Sequence, residues 1–329
     1  MRVLLTGADG FVGSNVTREL LRQGYQVVAF VEAKRDAATI KDLPVEIIKG
    51  DLLDGGIVNQ AAASCQYIIH LAANTNIQPA KSEIIRRVNI EGTRHVIAAA
   101  LAHNIKRMVY VGTANTFGFG SKDDPGDETR PYASAKYGLD YMDSKYEAHQ
   151  TVLNAVKENN LPCVIVNPTF MFGPYDTKPS SGAMILAIKD GKIPGYTSGG
   201  RNYIAVKNVA TGIVNALKKG RIGEAYVLGN HNLSYKEVFR LIAQTIGVKP
   251  PAIGLPPLLT KAYGRINEII SKVTGNSPVV SYPMALIACD EHYFSARKAV
   301  EELDLPQAPL EEAIQEAFEW LQANGFAAK

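Results

Sequence analysis

The chain has 329 residues, 46% hydrophobic and 20% charged, with a formal net charge of +3. That length suits two domains or one large α/β domain with an elaborated end. So small a surplus, with no Lys/Arg stripe, argues against a nucleic-acid partner, and no apolar run approaches the roughly 18 residues of a membrane span.

The first strand is Val3–Thr6. It runs into Gly7, Gly10 and Gly13, spaced three apart, and then into an amphipathic helix near 11–23 (Phe11, Val12, Val16, Leu20, Leu21) that stops at Gly24. Gly7 permits a tight turn, Gly10 lets backbone approach a pyrophosphate, and Gly13 brings helix against strand. The helix N-terminus offers unpaired N–H groups and a positive dipole end to phosphates. A glycine triplet alone is equally a turn without a ligand, and the strand–turn–helix context selects the cradle. Further strands are expected at Gln26–Val31, Val45–Lys49, Tyr67–Leu71, Arg107–Val111 and Cys163–Asn167, with a seventh at Glu224–Leu228. Helices are expected near 55–63, 83–103 and 137–159. Unbroken Val/Ile runs indicate strands buried on both faces, hence a doubly wound parallel α/β sheet of the Rossmann type.

After Pro168 glycine and proline become frequent, and helices near 234–247, 257–273 and 310–324 stand between irregular connections. This divides the chain into a dinucleotide-binding domain, 1–167, and a mainly substrate-binding region, 168–329. Segments near 204–229 and 285–300 are expected to return to the first domain. Ile253–Leu259 with Tyr263, Ile266, Ile269 and Ile270 fits either membrane contact or a core-facing helix. The short, weakly basic pattern favours the core.

Cys65, Cys163 and Cys289 lie far apart and outside any C-x-x-C, as expected of reduced thiols in a cytoplasmic protein without a signal peptide. His70, His95, His103, His149, His231 and His292 show no ligand-like spacing, so no metal is expected.

Tyr132 with Lys136 and Tyr141 with Lys145 are each four apart, so on a helix either pair could point a phenol and an ammonium at one site. A phenol titrates near 10. A neighbouring ammonium and a cationic nicotinamide ring would favour phenolate, letting the Tyr exchange a proton with a carbonyl or alcohol oxygen.

Thr6-Gly7-x-x-Gly10-x-x-Gly13, His70-Leu71-Ala72-Ala73, Asn89-x-Glu91-Gly92-Thr93, Tyr141-x-x-Ser144-Lys145 and Asn167-Pro168-Thr169 resemble the extended short-chain dehydrogenase/reductases over almost the whole chain. Val164–Thr169 with Gly173-Pro174, and Phe294-Ser295-x-x-Lys298-Ala299, are most similar to the dihydroflavonol-4-reductase branch. That branch includes 3β-hydroxysteroid dehydrogenase-like proteins and bacterial homologues described as sugar epimerases. The family pattern continues Ser-Lys-x-x-Ala, as Ser144–Ala148 does and the Lys136 window does not. Lys145 also leaves about five helical turns before the strand at Cys163. Tyr141 and Lys145 are therefore taken as the pair, and Tyr132 and Lys136 as the edge of the substrate cleft.

The resemblance implies catalytic roles for Thr113 (where Ser is usual), Tyr141, Lys145 and Asn89. It implies cofactor contacts from Gly7, Asp9, Gly10, Phe11, Val12, Gly13, Glu32, Lys34, Arg35, Asp51, Leu52, Leu71, Ala72, Ala73, Asn89, Tyr141, Lys145, Pro168 and Thr169. Asp51 would touch the adenine amine, or merely cap the following turn. Substrate-side candidates are Asn115, Phe117, Tyr132, Phe170, Met171 and Tyr203. Two departures stand out. Asn208 replaces a usual acid, and the end of the second strand reads Val31-Glu32 where relatives carry an acid or Arg. Asp9 and Glu32 would repel a 2′-phosphate, whereas Lys34 and Arg35 could attract one, so NAD(P)H is implied with the balance toward NAD(H).

The first functional reading is a reductase or dehydrogenase of a small, moderately apolar molecule. The second is a nucleotide-sugar epimerase or dehydratase that retains NAD, with Arg201, Lys178, Lys189 and Lys192 as candidates for the diphosphate. The third is a non-catalytic dinucleotide sensor. Family analogy adds a homodimer through the helices near 83–103 and 137–159.

Overall fold

The computed structural model describes residues 1–274, 278 and 280–327, without the side chains of 272 and 273. In chain order the first half alternates strand and helix: β1 (Arg2–Thr6), α1 (Phe11–Arg22), β2 (Gln26–Glu32), β3 (Glu46–Gly50), α2 (Gly55–Ala62), β4 (Tyr67–His70), α3 (Glu83–Ala102), β5 (Arg107–Val111), α4 (Asp140–Asn159) and β6 (Cys163–Pro168). The second half adds β7 (Phe170–Phe172), α5 (Gly182–Lys189), β8 (Gly200–Ala205), α6 (Val206–Lys219), β9 (Ala225–Leu228), β10 (His231–Ser234) and α7 (Tyr235–Thr245). It closes with α8 (Pro257–Thr274), α9 (Tyr282–Cys289), β11 (Glu291–His292), α10 (Arg297–Leu303) and α11 (Leu310–Ala323).

A seven-stranded parallel sheet runs β3-β2-β1-β4-β5-β6-β9. Its strand order reverses between β1 and β4, the place where such sheets open a ligand crevice at their carboxyl ends. The cause is visible in the strands. Val3, Leu5, Val27, Ala29, Val109 and Val164 bury on one face with α1 and α6, while Leu4, Val28, Phe30, Met108, Tyr110 and Ile165 bury on the other with α2, α3 and α4. Alternate side chains point to opposite faces, so only strands apolar at every position can be covered twice.

The region after Pro168 builds a second, mixed sheet around β8. β10 lies antiparallel on one side, and β11 and β7 pair in parallel on the other. Its core joins Phe172, Tyr203, Ile185, Phe239 and Ile314 from α5, α7 and α11.

Two expectations are corrected. The helix expected over 137–159 starts at Asp140, because Ser134–Tyr137 forms a 3-10 turn and Gly138 adopts a left-handed φ of 63°. The helix near 257–273 forms, but it does not face the core. Leu258, Leu259, Tyr263, Ile266, Ile269 and Ile270 are all exposed. It packs instead through Gly264, where an added Cβ would lie 2.7 Å from the Ala285 Cβ of α9.

Candidate active site

The crevice begins at the turn after β1. Gly7 has φ of 70°, donates to the Phe30 carbonyl at 2.9 Å, and leaves no room for a Cβ, which would meet Ala72 backbone at 2.9 Å. A Cβ at Gly13 would come within 2.0 Å of the Gly7 carbonyl oxygen, so glycine there is what lets α1 sit on the turn. Gly10 is different. Its nearest obstacle is the Gly7 oxygen at 3.3 Å, and as N-cap of α1 it provides no side-chain cap. The first N–H groups of α1, from Phe11, Val12 and Gly13, thus end at an uncapped helix start, which fits a pyrophosphate.

At the end of β2 the charges expected to compete for a ribose are joined to one another. Arg35 Nε lies 2.6 Å from Asp9 Oδ2, and Asp9 is buried. Burial raises the Asp9 carboxyl above its ordinary value, and Arg35 opposes that rise. Glu32 and Lys34 are exposed. Asp51 accepts from Leu53 N–H at 2.9 Å, stabilising the turn before α2, whose own N-cap is Asp54. Leu52 is buried against Gly92 of α3, where a Cβ would lie 2.4 Å from its Cδ2.

From β1 a buried chain of hydrogen bonds crosses to α4. Thr6 Oγ1 accepts from the Leu71 and Ala72 N–H groups at 3.2 and 3.1 Å and meets His70 Nδ1 at 2.8 Å. Ala73 follows in the same segment. His70 Nε2 lies 3.0 Å from Thr93 Oγ1, which donates to the Asn89 carbonyl at 2.6 Å. Asn89 exchanges bonds with the Asn74 backbone and donates to Ser144 Oγ at 2.9 Å. Ser144 in turn donates to the Tyr141 carbonyl at 3.1 Å. Asn89 is thereby tied to the start of α4, the helix that carries Tyr141 and Lys145.

Tyr141 and Lys145 sit one turn apart on α4, facing the end of β5. Lys145 is buried, donates to the Val111 carbonyl at 2.9 Å, and lies 4.7 Å over the Tyr110 ring. Burial drops its ammonium to about 7. Burial also raises the Tyr141 phenol, against a hydrogen bond with Thr113 that lowers it. The expected phenolate-favouring effect of Lys145 is not the dominant one here: desolvation disfavours both charges. Thr113 is buried and caps the 3-10 turn Ala114–Thr116 by accepting from Asn115 N–H at 3.4 Å.

Tyr132 and Lys136 do not share a site. Tyr132 donates to Asp143 at 2.7 Å and stacks on Tyr146 at 4.3 Å, on the face of α4 away from Tyr141. Lys136 pairs with Asp290 at 2.7 Å. Asn115 accepts from Ser134 at 3.1 Å. Phe117 is buried edge-on to His149 at 5.5 Å, among Ala114, Val227 and Phe294 rather than beside Tyr141. Phe170 packs edge-on to Tyr203, Tyr203 is fully buried and stacked on Phe172, and Met171 packs against the core of the main sheet. Pro168 ends β6, and Thr169 donates to Asn202 Oδ1 at 2.8 Å where the two sheets meet. The side chains clustered with Tyr141 are instead Phe119, Met142, Met284, Leu286 and Ile287.

Of a second polar group nearby, the sequence pattern singled out Arg201 alone, as a candidate for a diphosphate. Tyr137 donates to Asp290 at 2.6 Å and lies 2.9 Å from His292 Nε2, while Phe119 stacks on His292 at 4.1 Å. Burial holds His292 down at about 3. Arg201 donates to the Tyr235 phenol at 2.8 Å. These residues come from segments 155 or more positions apart in the case of Tyr137 and His292, so no local spacing could betray them.

An uncapped glycine turn at the switch point of a doubly wound sheet, with half-buried Tyr141 beside buried Lys145 and Thr113, is the arrangement of a Rossmann-type α/β protein. Residues 3–229 match the model of the NAD dependent epimerase/dehydratase family, and the chain belongs to that family. A Synechocystis protein named dihydroflavonol 4-reductase is 34% identical, covering 98% of this chain and 95% of its own. A Stigmatella aurantiaca protein named 4-hydroxy-2-methyl-3-oxo-4-farnesyl-3,4-dihydroquinoline-1-oxide ketoreductase is 29% identical, covering 82% of this chain and 80% of its own. The crystal structure of gox2253 superposes with a TM-score of 0.87 at 34% identity, over 98% of both chains. The fold also matches a dTDP-glucose 4,6-dehydratase from Bacillus anthracis in complex with NAD, at a TM-score of 0.75 and 21% identity over 98% and 97% of the two chains. Among the described residues no group of His, Cys, Asp and Glu is arranged to hold a metal, and no helix is long and apolar enough to cross a membrane.

Proposed function

We propose that this protein is a nicotinamide-dependent oxidoreductase that reduces the carbonyl, or oxidises the alcohol, of a small, moderately apolar molecule. The observation that carries this reading is the half-buried Tyr141, one helical turn from the buried Lys145 on α4 and packed with Phe119, Met284 and Leu286 on one apolar cluster. Residues 1–167 would hold the cofactor and 168–329 mainly the substrate. The Gly7–Gly13 turn and the α1 N-terminus would take the pyrophosphate, and Lys145 the nearer ribose. With Arg35 neutralised by Asp9 and Glu32 exposed beside it, NAD(H) suits the β2 end better than a 2′-phosphate.

When bound, a nicotinamide supplies or accepts the hydride. Thr113 would donate a hydrogen bond to the substrate oxygen, and Tyr141 would give that oxygen its proton in reduction or take it back in oxidation. A phenol that burial keeps protonated is suited to donation, and the buried Lys145 beneath it would lower the cost of the phenolate left behind. The apolar wall favours substrates with little charge.

The test is NADH or NADPH oxidation across a panel of ketones and aldehydes. Turnover should fall at least about a hundredfold in Tyr141→Phe, the scale of general acid catalysis, with cofactor binding retained. A fall under about threefold would remove Tyr141 from the proton-transfer role.

One observation favours a second reading, a nucleotide-sugar epimerase or dehydratase. The Arg201 guanidinium donates to the Tyr235 phenol and lies 5.3 Å over the Phe170 ring, and among the described residues no carboxylate pairs with it. Such a cation suits a diphosphate. NAD that copurifies, together with turnover of a nucleotide-sugar without added cofactor, would decide for it.

A further inference from the structure

Helix α8 is amphipathic in the reverse sense from a core helix. At roughly 100° per residue, Leu258, Ile269, Ala262, Ile266, Leu259, Ile270 and Tyr263 fill one continuous arc of about 140°. That arc faces outward, with the large side chains exposed from 52% (Tyr263 and Ile270) to 79% (Leu258). Just ahead of the helix, Ile253 is 64% exposed. The face that packs inward is small and polar: Gly264 rests on Ala285, and Glu268 accepts from Tyr282 N–H at 3.1 Å. Monomeric proteins rarely leave an apolar patch of this extent bare.

The charges show what would cover it. Lys261 and Arg265 lie along one border of the arc, and Arg265 is held 3.6 Å over the Tyr282 ring. Between positions 249 and 281 the sequence has Lys249, Lys261, Arg265 and Lys272 against the single acid Glu268. That surplus of three equals the net charge of the whole chain, +3, so the remainder of the sequence is neutral and the net positive charge falls within this segment. A second copy docking by the same face in antiparallel fashion would set basic border against basic border. It would have only Glu268, already bonded to Tyr282 and paired at 3.8 Å with Arg265 of its own helix, to offset them. An anionic lipid surface complements both features, taking the apolar arc at the headgroup boundary and pairing the bases with lipid phosphates.

We propose that α8 and the loop before it dock this protein onto an anionic membrane surface, with the helix lying in the interfacial plane. Inward from α8, α9 places Met284, Leu286 and Ile287 in the same apolar cluster as Tyr141, so α9 lies between α8 and the candidate site. The docking stands independently of which reaction that site performs.

The test is co-sedimentation of the full chain with vesicles of phosphatidylcholine alone or with about one-third phosphatidylglycerol. The protein should pellet with the anionic vesicles, not with the neutral ones, and the binding should weaken as salt rises. Leu258→Ser combined with Ile266→Ser and Ile269→Ser should abolish pelleting. Lys261→Gln should weaken it roughly fivefold, the effect of one base near the surface. Unchanged melting temperatures and unchanged quenching by NADH would show that the variants remain folded. Failure of the parent to pellet with anionic vesicles overturns the proposal. So does a triple variant that still pellets, or one whose only change is a smaller size in gel filtration, which would assign the face to a second copy.

Discussion

At the scale of single residues, burial rather than pairing governs Tyr141 and Lys145. Lys145 makes its hydrogen bond to a neutral carbonyl, Val111, and its other neighbour is the Tyr110 ring rather than a carboxylate, so the loss of water around its charge is only partly offset. Its ammonium falls from 10.5 to about 7. The unfolded chain therefore holds a proton on this side chain that the folded chain releases, across the whole interval between those two values. Stability contributed by this group rises with pH from about 7 to about 10.5 and is lost as pH falls through 7. Lys145→Met removes the ionisation. Urea midpoints measured at pH 7 and pH 9 should show the parent gaining relative to the variant on going alkaline. Parallel midpoints would mean that Lys145 titrates in water. The same desolvation bears on chemistry: a dinucleotide placing hydroxyls beside Lys145 restores partners to the ammonium and would pull its titration back up.

At the scale of elements, the sheet was legible because its strands are apolar at every position, a pattern only double coverage satisfies. The glycine turn was legible for a comparable reason. Steric demand at Gly7 and Gly13 leaves no other residue possible, and that demand predicts separable outcomes. Gly13→Ala puts a methyl 2.0 Å from the Gly7 oxygen, so α1 must lift from the turn. We expect a loss of about 1–3 kcal/mol, as for overpacking, and at least a hundredfold weaker NADH binding. Gly24→Ala, at φ of 78° with nothing within 4 Å, should cost about 1 kcal/mol and leave binding intact. Urea denaturation and fluorescence titration measure the two effects, and equal NADH affinity in Gly13→Ala and the parent would refute the packing account. What stayed illegible has physical causes too. The helix starts only at Asp140, after the 3-10 turn Ser134–Tyr137 and the left-handed Gly138, so Tyr132 and Lys136 never share a helical face, and a glycine's sign of φ is not written in its neighbours. Tyr203 reads as a pocket residue by type, yet β8 turns it into the second core. In α8 the sequence displays an apolar stripe but not which neighbour covers it, and the small face around Gly264 took the contact instead.

At the scale of the whole molecule, three imidazoles are buried beside buried cations. His70 and His149 face Lys145, and His292 faces Arg201 with Asp290 and Lys136 beyond it. Burial first, and those cations second, hold His70 at about 3, His149 at about 4 and His292 at about 3, against an ordinary 6.5. Each binds its proton more readily unfolded than folded. The stability they confer is complete above about 6.5 and is lost progressively as pH falls toward 3 to 4. Below the unfolded value each contributes a slope of roughly 1.4 kcal/mol per pH unit. The candidate cofactor crevice, the α4 site and the second sheet should therefore fail together on acidification, because the three imidazoles are shared among them. The urea midpoint should drop steeply between pH 6.5 and pH 4.5. His70→Gln, which can keep a partner for Thr6 or Thr93, should reduce the steepness by about one proton's worth even if it lowers stability at pH 7. A slope identical to the parent's in that variant would place the acid sensitivity of this interval on other groups, and not on Glu237, which Lys122 and Ser234 hold near 2 against the pull of burial and whose contribution is lost only below about 4.5.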